Sequence, residues 1–400
     1  MLDPCSFQSV FTALNHRHAV PNSLQSHFLT DLSHLVREWS VFDRKLRSNL
    51  DLDNEKIVHK QMPEKRFDFS LLLYLMNAEG GVMDRQWNHL LPRPIAFAFS
   101  GGASLGAVQV GMLRALRTAG IQPDLIVGTS VGALNGAVIA DQGLDAGIEQ
   151  LTDLWMHTRC TDLFPGGALA QLGCLLQTRR SLFRQDGLIR LMQATLGART
   201  FDALQLPLGV VATELRSRRS TLFTQGPLQS ALLASSAIPG LLPSVTINHR
   251  AYVDGCFTAN VPLSAAYQMG AASIVVLDAG NRRQAEQAPC RLADKALAKV
   301  AARLRQQVLG EAPRIAQHLP LVYLPAPTLP PHRLLDFDGG AALIERTIAY
   351  VSRFLATATP PAPGTMCGAL QFGEIEREDT TRVPLDYPSI QFHGSYASLT

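Results

Sequence analysis

Leu125-Ile-Val-Gly-Thr-Ser-Val-Gly-Ala-Leu-Asn-Gly-Ala-Val-Ile-Ala140 is the stretch that decides the fold. Its opening, Leu125-Ile-Val127, is a short continuous apolar run, as a strand buried on both faces requires. Gly128-Thr129-Ser130-Val131-Gly132 comes next, then an almost wholly apolar helical segment through Ala140. A helix with so little polar surface has to be buried. In a strand, Gly-x-Ser-x-Gly, helix arrangement, a sharp turn lifts the serine hydroxyl clear of the sheet. Glycines flank it because side chains there would collide with neighbouring backbone. Ser130 is thus a candidate nucleophile and Gly128 and Gly132 its elbow, with a tight structural turn as the competing reading. The N-terminus of the following helix favours negative charge developing beside the serine.

One strand-helix unit earlier the pattern repeats. Ile95-Ala-Phe-Ala-Phe99 is another buried-strand run, followed by Ser100-Gly-Gly-Ala-Ser-Leu-Gly106. A helix comes next with Val108, Met112, Leu116 and Ala119 on one face. Gly120 caps it and Pro123 lies just beyond. Consecutive strands joined by a crossover helix usually lie close together. Both loops then open at the carboxyl edge of the sheet, where α/β sites gather. Small residues let backbone N–H groups approach an anion, so Gly101, Gly102, Ala103 and Ser104 are candidate oxyanion donors. A dinucleotide fingerprint would need glycine at position 103 and an acid ending the next strand, and neither is present.

Further strands are expected at Leu208–Ala212, Leu222–Thr224, Ala251–Val253, Ile274–Leu277 and Leu321–Leu324, with helices between them. This is an α/β layout with a mainly parallel sheet, ending near Phe354. Residues 94–356 form the main domain. Residues 1–93 read as a helical extension, with Phe28, Leu32, Leu35, Val36 and Trp39 at helical spacing and a second apolar helix over Phe67–Met76. Residues 357–400, with Thr359-Pro-Pro-Ala-Pro-Gly364, read as a polar, loosely held tail.

The bulk composition excludes several classes. The chain has 400 residues, 46% hydrophobic and 17% charged, which is neither disordered nor low-complexity. The 36 basic and 33 acidic residues give a net charge of +3, so bulk attraction to nucleic acid is not implied. Six scattered cysteines form no Cys-x-x-Cys pair and no zinc spacing, which points to reduced thiols, no structural metal and a cytoplasmic setting. Met1-Leu-Asp-Pro-Cys-Ser-Phe-Gln-Ser-Val10 lacks the basic and apolar regions of a signal peptide. No apolar run reaches the ~18–20 residues that span a bilayer, so any membrane contact would be peripheral.

A nucleophilic serine needs a base. The histidines after Ser130 are His157, His249, His318, His332 and His393, and none has a strand-end setting. His249 lies in a turn, Asn248-His249-Arg250, and His332 in a proline-rich loop. Asp254 differs: it ends the strand Ala251-Tyr-Val253 and precedes Gly255, which suits a base and equally a turn former.

Together, the Gly-rich loop, the Gly-x-Ser-x-Gly elbow and the strand-end Asp-Gly resemble the patatin-like phospholipase family. Ala107-Val-Gln-Val-Gly-Met-Leu-Arg-Ala-Leu116, Ala234-Ser-Ser-Ala-Ile-Pro-Gly240 with Leu242-Pro243, and Asn260-Val-Pro262 agree with it. The likeness runs from about residue 94 to 356. Two positions depart from the family's usual pattern. In its Gly-Gly-Gly-x-[Arg/Lys]-Gly loop, Ala103 replaces the third glycine and Leu105 the basic residue; after the aspartate-glycine, Cys256 stands where Gly or Ala is usual.

The resemblance implies a three-layer sandwich with a mainly parallel central sheet and helices on both faces. It implies a Ser130–Asp254 dyad acting through an acyl-enzyme on phospholipids or other fatty acyl esters, with no metal and no cofactor. An ordinary aspartate, pKa about 3.9, matches a serine hydroxyl poorly, so burial should raise it. A carboxylesterase with a histidine triad and a non-catalytic lipid-binding scaffold are the alternatives. Arg291, Lys295, Lys299 and Arg303 recur opposite Leu292, Ala296, Val300 and Leu304. Such a basic amphipathic helix can lie on an anionic membrane or simply face solvent. Arg216-Ser-Arg-Arg219 reads as a hairpin, and Phe164–Leu176 as an acyl-channel wall or a buried loop.

Overall fold

The structure, a computed structural model, describes residues 86–164, 181–279, 292–327, 337–368 and 391–392. The helices expected before residue 77, and residues 165–176 of the candidate channel wall, lie outside the described residues, as do His332 and His393.

Helix α1 (Gln86–Leu90) precedes strand β1 (Ile95–Phe99). A single 3-10 turn at Ala103–Leu105 leads into α2 (Gly106–Thr118). Then come β2 (Leu125–Thr129), α3 (Val131–Gln142), α4 (Leu144–His157) and α5 (Asp186–Thr195). Strands β3 (Leu208–Glu214) and β4 (Ser220–Phe223) form a hairpin. After α6 (Leu228–Ser235), a second hairpin joins β5 (Val245–Ile247) to β6 (Arg250–Asp254). Its two turn residues, Asn248 and His249, both have positive φ (48° and 60°), the backbone of a tight two-residue connection. The chain continues through α7 (Leu263–Gln268), β7 (Ser273–Leu277), α8 (Leu292–Ala316), β8 (Leu321–Tyr323) and α9 (Gly340–Thr357). Strands β9 (Met366–Gly368) and β10 (Gln391–Phe392) follow.

The sheet runs β10-β4-β3-β2-β1-β7-β8-β9. Along it, β2, β1, β7, β8 and β9 are parallel, as is the β2–β3 pair. Strand alternation sends Ile95, Phe97 and Phe99 of β1 into one core, with Ile126, Met112, Leu116 and Ile139. Ala96 and Ala98 face a second core on the other side, with Val127, Leu263, Ala266 and Ile315. Period-two alternation thus puts helices on both faces and makes the three layers.

Two features differ from the sequence expectation. β9 extends the sheet beyond β8 and β10 pairs with β4, both from the segment read as a loosely held tail. Three-residue and two-residue strands carry too little alternation to register as strands in the sequence. Of the basic stripe, Arg303 is exposed on α8, while the side chains of Arg291, Lys295 and Lys299 lie outside the described residues. Among the described residues, no helix is long and apolar enough to cross a membrane.

The placement of β6 matters most. Strand β2 pairs with β3 up to Thr129↔Val211 and stops. Strand β6 takes over the same edge of β3, running the opposite way, with Asp254↔Ala212 next in register. The other edge at those residues is occupied by β4, through Val211↔Leu222 and Ala212↔Thr221. The ends of β2 and β6 therefore meet head to head.

Candidate active site

Ser130 caps α3 in a sharply bent backbone, with φ 54° and ψ −125°. A non-glycine residue in such a region carries roughly 1–3 kcal/mol of strain and is kept only where its surroundings impose it. Those surroundings are close. A Cβ on Gly132 would lie 2.4 Å from the Ser100 carbonyl oxygen and 2.7 Å from that of Phe99. One on Gly128 would lie 2.5 Å from the Ala133 Cα. Gly132 is thus required by the close approach of the end of β1, and Gly128 by that of the first turn of α3.

The Ser130 hydroxyl donates to Asp254 Oδ2 at 2.6 Å. Asp254 is fully buried, and its other oxygen, Oδ1, accepts the Cys256 N–H at 2.8 Å. Burial pushes the Asp254 carboxyl up to about 6, against the opposing pull of the bonds from Ser130 and from the Cys256 amide and thiol. The same burial, reinforced by the carboxylate beside it, raises the Cys256 thiol and keeps it protonated. The thiol at this position therefore acts as a small donor to Asp254. A carboxylate that titrates near neutrality and already touches a hydroxyl can take that proton.

Sequence reasoning quoted Ala234-Ser-Ser-Ala-Ile-Pro-Gly240 as a likeness but missed its work. Ser235 Oγ accepts the Ser130 N–H at 2.8 Å and donates to the Val211 carbonyl at 2.6 Å. The Ala237 carbonyl accepts the Asp254 N–H at 3.0 Å, and the Ser235 carbonyl accepts that of Gly255 at 3.3 Å. One segment thus fixes the backbones of both Ser130 and Asp254. Its signal in the sequence was two adjacent serines at a helix end in an otherwise apolar run.

The Gly-rich loop packs against the serine: a Cβ on Gly101 would lie 3.5 Å from the Ser130 Cβ. The Gly101 amide, however, donates to the Asn260 carbonyl at 3.0 Å. Its hydrogen thus ties the loop to Asn260 rather than pointing free toward the serine. Gly102 and Ala103 carry the next amides, and Ser104 is buried in the 3-10 turn. Ala103 has φ 49°, a conformation glycine adopts without strain. Leu105 is buried in the core, where a cationic side chain would be desolvated.

A buried polar network holds this loop. Gln109 Nε2 donates to the carbonyls of Ser100 (2.8 Å) and Leu277 (3.2 Å). Asn135 Nδ2 donates to Gln109 Oε1 (2.9 Å) and the Gly106 carbonyl (3.1 Å), and Asn135 Oδ1 accepts from Trp155 Nε1 at 3.0 Å. Fully satisfied buried networks of this kind rigidify what they join.

Ser130 and Ala103 open onto a cavity of about 90 Å³. Its walls are mainly apolar, with Leu134, Val138, Leu154, Leu188 and Met192, and Trp155 stacked on Phe337 at 5.9 Å. Phe164, the first residue of the candidate channel segment, also lines it. No histidine borders the cavity or bonds to Ser130 or Asp254 among the described residues. His157 pairs with Asp153 on an exposed helix face, and His249 and His318 are exposed. No group of three or more metal-ligating side chains occurs among the described residues.

Residues 97–267 match the family model described as patatin-like phospholipase. This bears out the resemblance drawn from the motifs for the segment that carries all of them. Patatin-like phospholipase domain-containing protein 7 of Rattus norvegicus is 25% identical over 231 residues, covering 57% of this chain and 16% of that protein. Neuropathy target esterase sws of Drosophila melanogaster is 24% identical over 257 residues, covering 64% and 17%. The aligned part thus spans about a sixth of the length of these curated relatives. Among solved structures, VipD from Legionella pneumophila is similar at 14% identity and a TM-score of 0.35, over 66% of this chain and 67% of that one.

Proposed function

We propose that this patatin-like domain is a serine-dependent lipid acyl hydrolase that cleaves fatty acyl esters through Ser130 and Asp254. The observation that carries the reading is the 2.6 Å hydrogen bond from Ser130 Oγ to a fully buried carboxylate, at the mouth of an apolar cavity. Asp254 takes the hydroxyl proton as Ser130 Oγ attacks the ester carbonyl carbon. The carbonyl oxygen becomes an oxyanion and accepts from the amides of Gly102 and Ala103. Collapse of this intermediate expels the alcohol, which leaves with the proton from Asp254, and the acyl group stays on Ser130. Asp254 then deprotonates a water that attacks the acyl-enzyme, returning the proton to Ser130 and releasing the fatty acid.

Phospholipids and related fatty acyl esters are the substrate class that fits the apolar cavity. They would be drawn from a membrane that the protein touches peripherally, in the cytoplasm. The experiment is fluorophosphonate labelling with peptide mapping, together with p-nitrophenyl ester turnover by wild type and Ser130→Ala. A tag on Ser130 and turnover lost in Ser130→Ala support the reading. Equal background rates in the two proteins would leave a lipid-binding scaffold instead. Turnover retained in Asp254→Asn and lost on removing one histidine would favour a triad esterase.

A further inference from the structure

Among the described residues, every polar side chain lining the cavity has a hydrogen-bond partner except one. Thr158 and Thr195 turn their hydroxyls back onto the Leu154 and Leu191 carbonyls, at 2.7 and 2.8 Å. Asn135 is saturated by the network described above. Ser236 is the exception. It lines the same cavity as Ser130 and Ala103, it is only 6% exposed, and its Oγ is buried with no hydrogen-bond partner among the described residues. A buried hydroxyl without a partner destabilises the unliganded fold, so an unsatisfied one at a ligand cavity calls for an explanation.

We propose that Ser236 Oγ donates a hydrogen bond to an oxygen of the bound ester, making it a substrate-binding residue; this rests on the acyl hydrolase reading. Its place in the chain selects the ester end of the substrate. Ser236 directly follows the residue whose Oγ lies 2.8 Å from the Ser130 nitrogen. The rest of the wall is mainly apolar and suits a hydrocarbon tail. In a simple fatty acyl ester the ester group is the polar part that can reach this hydroxyl. The bond would add to the amides of Gly102 and Ala103 rather than replace them.

The test compares wild type with Ser236→Ala on two p-nitrophenyl esters of equal length, one with a plain acyl chain and one with a 3-hydroxyacyl chain. In Ser236→Ala, kcat/KM falls by about 3- to 10-fold on both, the range of one neutral hydrogen bond. The melting temperature stays at or above that of wild type, since the lost hydroxyl had no partner. In a Ser130→Ala background, adding Ser236→Ala weakens binding of the plain uncleaved ester by a similar factor. An unchanged kcat/KM overturns the proposal. So does a loss confined to the 3-hydroxyacyl ester, which would assign Ser236 to the chain, and so does a loss accompanied by a lower melting temperature. Failure of wild type to turn over either ester would instead sink the hydrolase reading itself.

Discussion

Ser130 and Asp254 lie 124 positions apart in the chain, and their side chains meet at 2.6 Å. They meet because β2 and β6 share one edge of β3 and end against each other, at Thr129↔Val211 and Asp254↔Ala212. The pair is thus set by strand register, and a one-residue slip of either strand would part it.

The pH dependence of turnover follows from the burial of Asp254. As the proposed base it must be ionised, and desolvation raises its carboxyl to about 6. We expect kcat/KM to rise with pH through an apparent pKa near 6 and then level off. Asp254→Asn should cut kcat by about 10²–10⁴-fold, the usual worth of a positioned base. A pH–rate profile on a soluble ester checks both, and an acid limb near 4 would contradict the role of burial.

The same shift has a consequence for stability. A carboxyl whose folded pKa is raised favours folding while protonated. Its contribution is full below the unfolded value near 3.8 and is lost as pH rises toward the folded value of about 6. About two pKa units correspond to roughly 3 kcal/mol. Asp254→Asn, which cannot ionise, should therefore be less sensitive to pH across that window and at least as stable as wild type at pH 7. Urea unfolding of both proteins at pH 4, 5, 6 and 7 measures this.

Ser235→Ala removes the group that joins the Ser130 amide to the Val211 carbonyl. Two buried backbone groups lose their partner, at about 1–3 kcal/mol for such a deletion. The melting temperature should fall by roughly 2–12 °C, at about 2–4 °C per kcal/mol for a domain of this size. Fluorophosphonate labelling of Ser130 should slow as well, since the strained turn loses its tie. Unchanged melting would mean that the segment does not clamp the serine.

Gly132→Ala tests the close approach of the elbow to β1. The new methyl would lie 2.4 Å from the Ser100 oxygen, which is backbone and cannot swing aside. Overpacking of this kind costs about 1–3 kcal/mol or more. A lower urea midpoint and lost turnover are expected. A variant as stable and active as wild type would show that the turn has slack.

The sequence by itself determined the layers and singled out Ser130 and Asp254, the two side chains that the fold brings together. Runs such as Ile95–Phe99 and Leu125–Val127 are buried on both sheet faces and so are apolar throughout, a signal that needs no partner to be read. Likewise Gly128 and Gly132 announce a turn that admits no side chains, and Asp254 stands at a strand end before a glycine. Only the tertiary structure decided how β6 continues the edge that β2 leaves, that the Gly101 amide is engaged by Asn260, and that Ser235 and Ala237 hold the serine and the aspartate in place. Nor does the sequence show that Gln109 and Asn135, polar residues within otherwise apolar helices, bond to the Gly-rich loop. The reason is physical. Burial and turn chemistry leave periodic traces in the local sequence, whereas hydrogen bonds between distant segments are fixed by register and packing.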